Sequence, residues 1–153
     1  MSERLEQAIM EATLHVFETS TYMNVLPRSE SGSEPLTEPD IAAKMIFRGP
    51  MNGTLTMRVA SELLGELVSN MLGELGDNES VEEKGQDALK EIANMICGNM
   101  LTLWAGEQPV FKLSPPNIVV QEPDKLSAEP VCTKVSFVLE NTLAEITVEY
   151  DHD

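Results

Sequence analysis

Residues 41–59, IAAKMIFRGPMNGTLTMRV, decide the fold. The segment 41–48 reads as one strand, and 54–59 alternates apolar and polar residues as a second. Between them Gly49-Pro50-Met51-Asn52-Gly53 reads as a turn, with Asn-Gly expected to supply positive φ. Two strands joined so closely make an antiparallel hairpin. Working backwards, 27–40 is a polar loop rich in Ser, Glu and Pro. Before it, residues 3–21 set Leu5, Ile9, Ala12, Val16 and Phe17 at helical spacing. Working forwards, 60–72 is a second amphipathic helix, with Ser61 as its expected N-cap and Leu63, Leu64, Leu67, Met71 and Leu72 as its apolar face. Residues 73–78 link it to the longest helix, about 80–103. Proline-marked loops at Pro109 and Pro115-Pro116 lead to a short strand at 117–121. A polar loop precedes two last strands, 131–139 and 143–150, which turn at 140–142.

Residues 1–59 thus run helix, loop, hairpin, and 80–150 run helix, loop, strands. The repeat lies in element order, because the two halves share negligible identity. The expected fold class is α+β: a mainly antiparallel sheet of about five strands with helices packed on one face, in one domain spanning 1–153.

The chain has 153 residues, 10 basic and 26 acidic side chains, and a net charge of −16. That charge argues against nucleic acid and against anionic membrane surfaces, since both need clustered Lys and Arg. No run approaches the length of a membrane span, and the N-terminus has no signal-peptide pattern. Cys97 and Cys132 lie among apolar residues and read as buried free thiols, which fits a cytoplasmic location. His15 reads as a surface or boundary residue of the first helix, and His152 belongs to the polar tail. Neither stands in a metal-ligand spacing, and no phosphate-cradling glycine motif or nucleophile elbow is present.

The segment 87–101, DALKEIANMICGNML, carries the chemistry. With Asp87 at zero on a helical projection, Glu91 falls at about 40°, Asn94 at about −20° and Gly98 at about 20°. Leu89, Ile92, Ile96, Met100 and Leu103 cluster opposite and are expected to be buried, and Trp104 is expected in the core. A glycine on the polar stripe costs about 1 kcal/mol relative to alanine. A solvated face has no use for it, whereas a partner that must approach the helix backbone has.

The pattern D-x-x-x-E-x-x-N, with a proline after the helix, resembles the signature of CheC/CheX-type chemotaxis phosphatases, the CheC/CheX/FliY family. EIANMICGN at 91–99 is similar to that family's active-site helix. The single-site CheX-like branch fits best, because in the first helix Glu11 is followed three residues later by Leu14, where a second site would need Asn. The resemblance implies a phosphatase acting on the aspartyl phosphate of a CheY-like response regulator receiver domain, a reaction of two-component signalling. It implies catalytic roles for Glu91, which contacts a receiver lysine, and Asn94, which orients the attacking water. Asp87, Gly98 and Pro116 would bind the partner, and either Pro115 or Pro116 holds the family position. The chain would need no cofactor or metal of its own, Mg²⁺ being supplied by the receiver. A homodimer is expected, paired through hydrophobic terminal strands at a sheet edge. Two rival readings are a non-catalytic module that binds a receiver or the flagellar switch, and a hydrolase using the carboxylates of Asp87 and Glu91.

Overall fold

A computed structural model describes residues 2–21, 25–27, 39–71, 80–120, 131–139 and 142–151. Helix α1, Ser2–Val16, continues into a π-helical turn at Phe17–Thr21. Strand β1 is Val25–Pro27, β2 is Ile41–Arg48 and β3 is Asn52–Val59. A 3-10 turn at Ser61–Leu63 enters α2, Leu64–Met71, and the long helix α3 runs Val81–Ala105. Strands β4 (Lys112–Leu113), β5 (Asn117–Val120), β6 (Val131–Leu139) and β7 (Thr142–Asp151) follow. All five expected strands are present, and β1 and β4 are two short additions. The linker 73–78, the loop 28–38, the turn residues 140–141 and His152 lie outside the described residues.

The strands form one antiparallel sheet in the order β1-β6-β7-β3-β2-β4, with β5 also pairing β2. Exchange β1 with β4, β2 with β6 and β3 with β7, and that order reads the same backwards. Lys44 pairs Thr56, Thr56 pairs Thr147, and Thr147 pairs Lys134, so the two hairpins meet at their midpoints. The internal repeat is therefore a property of the sheet as well as of element order. It is crossed: β1 from the first half extends the second half's hairpin, and β4 from the second half extends the first.

Side chains two apart share a sheet face. One face carries Ala43, Met45 and Phe47 of β2, Leu55 and Met57 of β3, and Ile146 and Val148 of β7, all buried. On the other face Lys44, Ile46 and Arg48 are exposed, and Thr54, Thr56 and Arg58 are half-buried. The helices cover the apolar face alone. α1 contributes Leu5, Ile9, Ala12, Val16 and the following Phe17, and α3 contributes Leu89, Ile92, Ile96 and Met100. Trp104 is buried as expected, edge-on to the Tyr150 ring with centroids 4.8 Å apart.

Three local expectations need correction. Gly53 does not adopt positive φ; among the described residues the glycine that does is Gly106. The turn closes earlier, where Asn52 Oδ1 accepts from the Gly49 amide at 3.3 Å. Gly53 lies within β3, paired with Tyr150, and a side chain is excluded there because a Cβ would run into the Glu149 carbonyl oxygen and come within 2.6 Å of the Phe47 ring. Ser61 is not an N-cap: Ala60 holds that position without a side-chain bond. The carboxylate of Asp40 takes over, accepting from the Ser61 amide at 2.6 Å and from its hydroxyl at 2.8 Å. Finally, β7 is no edge strand, since it sits between β3 and β6.

Candidate functional site

Helix α3 has clear start and stop signals. The Ser80 hydroxyl accepts from the Glu83 amide at 3.0 Å, and Glu82 and Glu83 place negative charge in the first turn. At the other end Gly106, at φ 90°, donates its amide to the Thr102 carbonyl. Between these caps the apolar residues fix the rotation of the helix on the sheet, and so fix which side faces out.

That outer side carries the stripe expected from the sequence. Asp87, Glu91 and Asn94 are exposed, and Gly98 is half-buried. Asp87 has a local partner: the Lys90 ammonium lies 3.6 Å from its carboxylate, one turn along. Glu91 and Asn94 form no side-chain hydrogen bond or ion pair with the described residues. Gly98 has no heavy atom within 4 Å of where a Cβ would stand. In the same helix, a Cβ on Gly85 would come within 2.5 Å of Leu64 Cβ. Gly85 therefore lets α2 pack on α3, whereas nothing in the described chain requires Gly98.

Pro116 lies between β4 and β5, half-buried, and Pro115 is exposed. The loop is pinned to β2 by two 2.8 Å bonds, Ser114 amide to the Ile46 carbonyl and Ile46 amide to the Ser114 hydroxyl. Neither proline lines the cleft beside the stripe.

That cleft was not foreseen. It is an open groove of about 680 Å³ between α1 and α3. Glu11, Ala12 and His15 form one wall, and Asn94, Met95 and Gly98 belong to the other. Asn99 and Thr102 extend the second wall towards Leu103 and Leu113. Leu103, expected in the core, is 44% exposed and lines the groove instead. A helical projection assumes equal cover along the whole helix, and the last turn of α3 does not have it. The α1 wall escaped the sequence reading because it joins residues some eighty positions apart; its only signal is the polar face of α1.

Cys97 is a buried free thiol, and burial pushes its pKa up to about 12. It is inert as a nucleophile at neutral pH. The side chain of Cys132 lies outside the described residues. Among the described residues, no three His, Cys, Asp or Glu side chains gather to hold a metal ion. No helix among them is long and apolar enough to cross a membrane.

Residues 41–140 match the family model of the chemotaxis phosphatase CheX, so the chain belongs to that family. Solved structures agree on the fold. The chemotaxis protein CheX of Desulfovibrio desulfuricans superposes with a TM-score of 0.76 at 17% identity, over 96% of this chain and 99% of that one. CheX of Vibrio vulnificus gives 0.75 at 19%, over 99% of both chains. A third, at 0.73 and 19% over 95% of this chain and 97% of the other, is from Borrelia burgdorferi, where CheX was solved in complex with CheY, BeF₃ and Mg²⁺. No protein of curated function matches the sequence.

Proposed function

We propose that this chain hydrolyses the aspartyl phosphate of a CheY-like receiver domain. The observation that carries the reading is the outer stripe of α3, where Glu91 and Asn94 stand exposed without side-chain partners among the described residues, beside the open backbone of Gly98. Membership of the CheX family and the Borrelia burgdorferi complex of CheX with CheY support it.

An acyl phosphate is already activated, and a receiver brings its own lysine and Mg²⁺. The phosphatase has only to hold a water in line with the P–O bond that breaks. The carboxamide oxygen of Asn94 accepts a hydrogen bond from that water, and its NH₂ donates to a neighbouring acceptor. Water adds to phosphorus, the receiver carboxylate leaves, and inorganic phosphate is released. Glu91 accepts a charge-assisted bond from the receiver lysine, which anchors the helix over the phosphoryl group. Gly98 lets the receiver backbone close on α3. Asp87 makes a peripheral contact that competes with its pairing to Lys90. Pro116 stiffens the loop beside the site.

The test is the decay of receiver phosphate with and without the protein. Wild type accelerates the decay. Asn94→Ala loses about 100-fold or more in kcat, the scale of a lost positioning group, and stays folded. Glu91→Ala acts on binding and raises KM about tenfold. Were Asn94→Ala to match wild type, the role given to that residue would be wrong.

The protein works in this reading as a cytoplasmic homodimer. β1 covers only Phe137–Leu139 of β6, so 131–136 have no strand on that side among the described residues. This open edge, not β7, is where a second copy pairs. Sedimentation equilibrium checks it: the expected mass is twice the 16.8 kDa of one chain, and a monomer at micromolar concentration rejects it.

A further inference from the structure

We propose that the groove between α1 and α3 receives an apolar side chain of the same receiver whose phosphoryl group meets Asn94, and that α1 thereby selects the receiver. This rests on the phosphatase reading above.

Three observations carry it. The first is continuity: Asn94 and Gly98 belong both to the outer stripe and to the groove wall. A receiver seated on the stripe covers the mouth of the groove, so the same partner fills it. The second is chemistry. On the α3 side the lining is uncharged, and it ends in Leu103 and Leu113. Such a wall has no charge to pair with a charged group that loses its water, and the Met95, Leu103 and Leu113 surfaces within it favour an apolar one. The third is the exposure of Leu103, 44% in a helix whose other described large apolar residues are buried or, like Met95, half-buried. Its apolar surface has no cover within the described chain, and the groove leads to it.

The groove lies beyond the water-positioning carboxamide. It therefore contributes binding that is equal in the ground and transition states, which sets KM and leaves kcat alone. Glu11 and His15 on the far wall contact the receiver without touching the reacting atoms.

The experiment compares Leu103→Glu and His15→Glu, one from each wall, with Leu14→Glu. Leu14 is also exposed, at 37%, and lies on α1 outside the groove, so it controls for added charge and lost apolar surface. All three positions are exposed, and circular dichroism melting confirms the fold. The probes are the CheY-type receivers of the same cell, phosphorylated for turnover and loaded with beryllofluoride and Mg²⁺ for binding. Leu103→Glu and His15→Glu are expected to raise KM and Kd about tenfold with kcat unchanged, the scale of one buried aliphatic contact. Leu14→Glu stays at wild type. Should Leu103→Glu not fold, His15→Glu decides alone. Groove variants with unmoved KM and Kd, beside an active wild type, overturn the inference and leave the phosphatase reading standing. So does a loss of kcat in place of affinity. A change of oligomeric mass in Leu103→Glu also overturns it, because the groove is then a contact between copies. A wild type that neither binds nor turns over any receiver overturns both.

Discussion

Two glycines one helix apart in meaning lie thirteen positions apart in sequence. A Cβ on Gly85 would meet Leu64, and one on Gly98 would meet no heavy atom of the described chain within 4 Å. Their alanine variants should move stability in opposite directions. Gly98→Ala removes backbone freedom from the unfolded chain and meets open space, so it should stabilise by about 0.5–1 kcal/mol. On the proposed phosphatase reading it should also weaken receiver binding, because the methyl group would stand where the partner's backbone closes. Gly85→Ala forces α2 away from α3 and should cost about 1–3 kcal/mol. Denaturant melts of the two variants check the signs, and a destabilised Gly98→Ala would mean that the glycine serves the fold. At this scale the stripe of Asp87, Glu91, Asn94 and Gly98 was legible in the sequence, because it lies within one helix and needs only a helical period. Leu103 was not, since its exposure depends on how far the neighbours of α3 extend.

The helices and the hairpins were legible through their periodicity. β1 and β4 were not, with three and two residues, because so short a segment has no period to read. They are strands only because β6 and β2 offer free edges to them. The start of the segment that carries α2 was misread for a related reason. Ser61 has the composition of a cap, but its partner arrives from Asp40, twenty-one residues earlier. That carboxylate holds the entry to β2 against the exit from β3, with the Asp40 amide also donating to the Val59 carbonyl at 3.0 Å. Asp40→Ala should lower stability by about 1–2 kcal/mol, the cost of a lost cap, without changing turnover. Thermal melts beside a phosphate-release assay separate the two effects. A loss of activity at full stability would place Asp40 in the site and not in the frame.

For the molecule as a whole, the charge of −16 first bears on partners. On the proposed reading, if the receiver is acidic too, long-range forces oppose docking, and the short contact proposed from Glu91 to a receiver lysine must outweigh them. Raising ionic strength should then leave the association rate unchanged or increase it. Stopped-flow binding between low and physiological salt checks this, and a rate that falls with salt would show attraction instead of repulsion. The order of elements was legible from the sequence at this scale; the sheet order was not, because pairing between distant strands leaves no local mark.

The crossed short strands have a consequence for how the chain assembles. β1 is completed only when Val25 meets Leu139, a separation of 139 − 25 = 114 residues. At the opposite edge β4 is laid down against β2, and the centre of the sheet is the joint between β3 and β7. Neither half can finish its own sheet while the other is absent. A nascent chain that has released only its first half holds a hairpin with two unclaimed borders, and that intermediate must wait for synthesis to end. Long sequence separation between paired residues of this kind slows folding. The same interlock means that a cut in the linker between the halves would leave two fragments that must find each other to regain either one's structure.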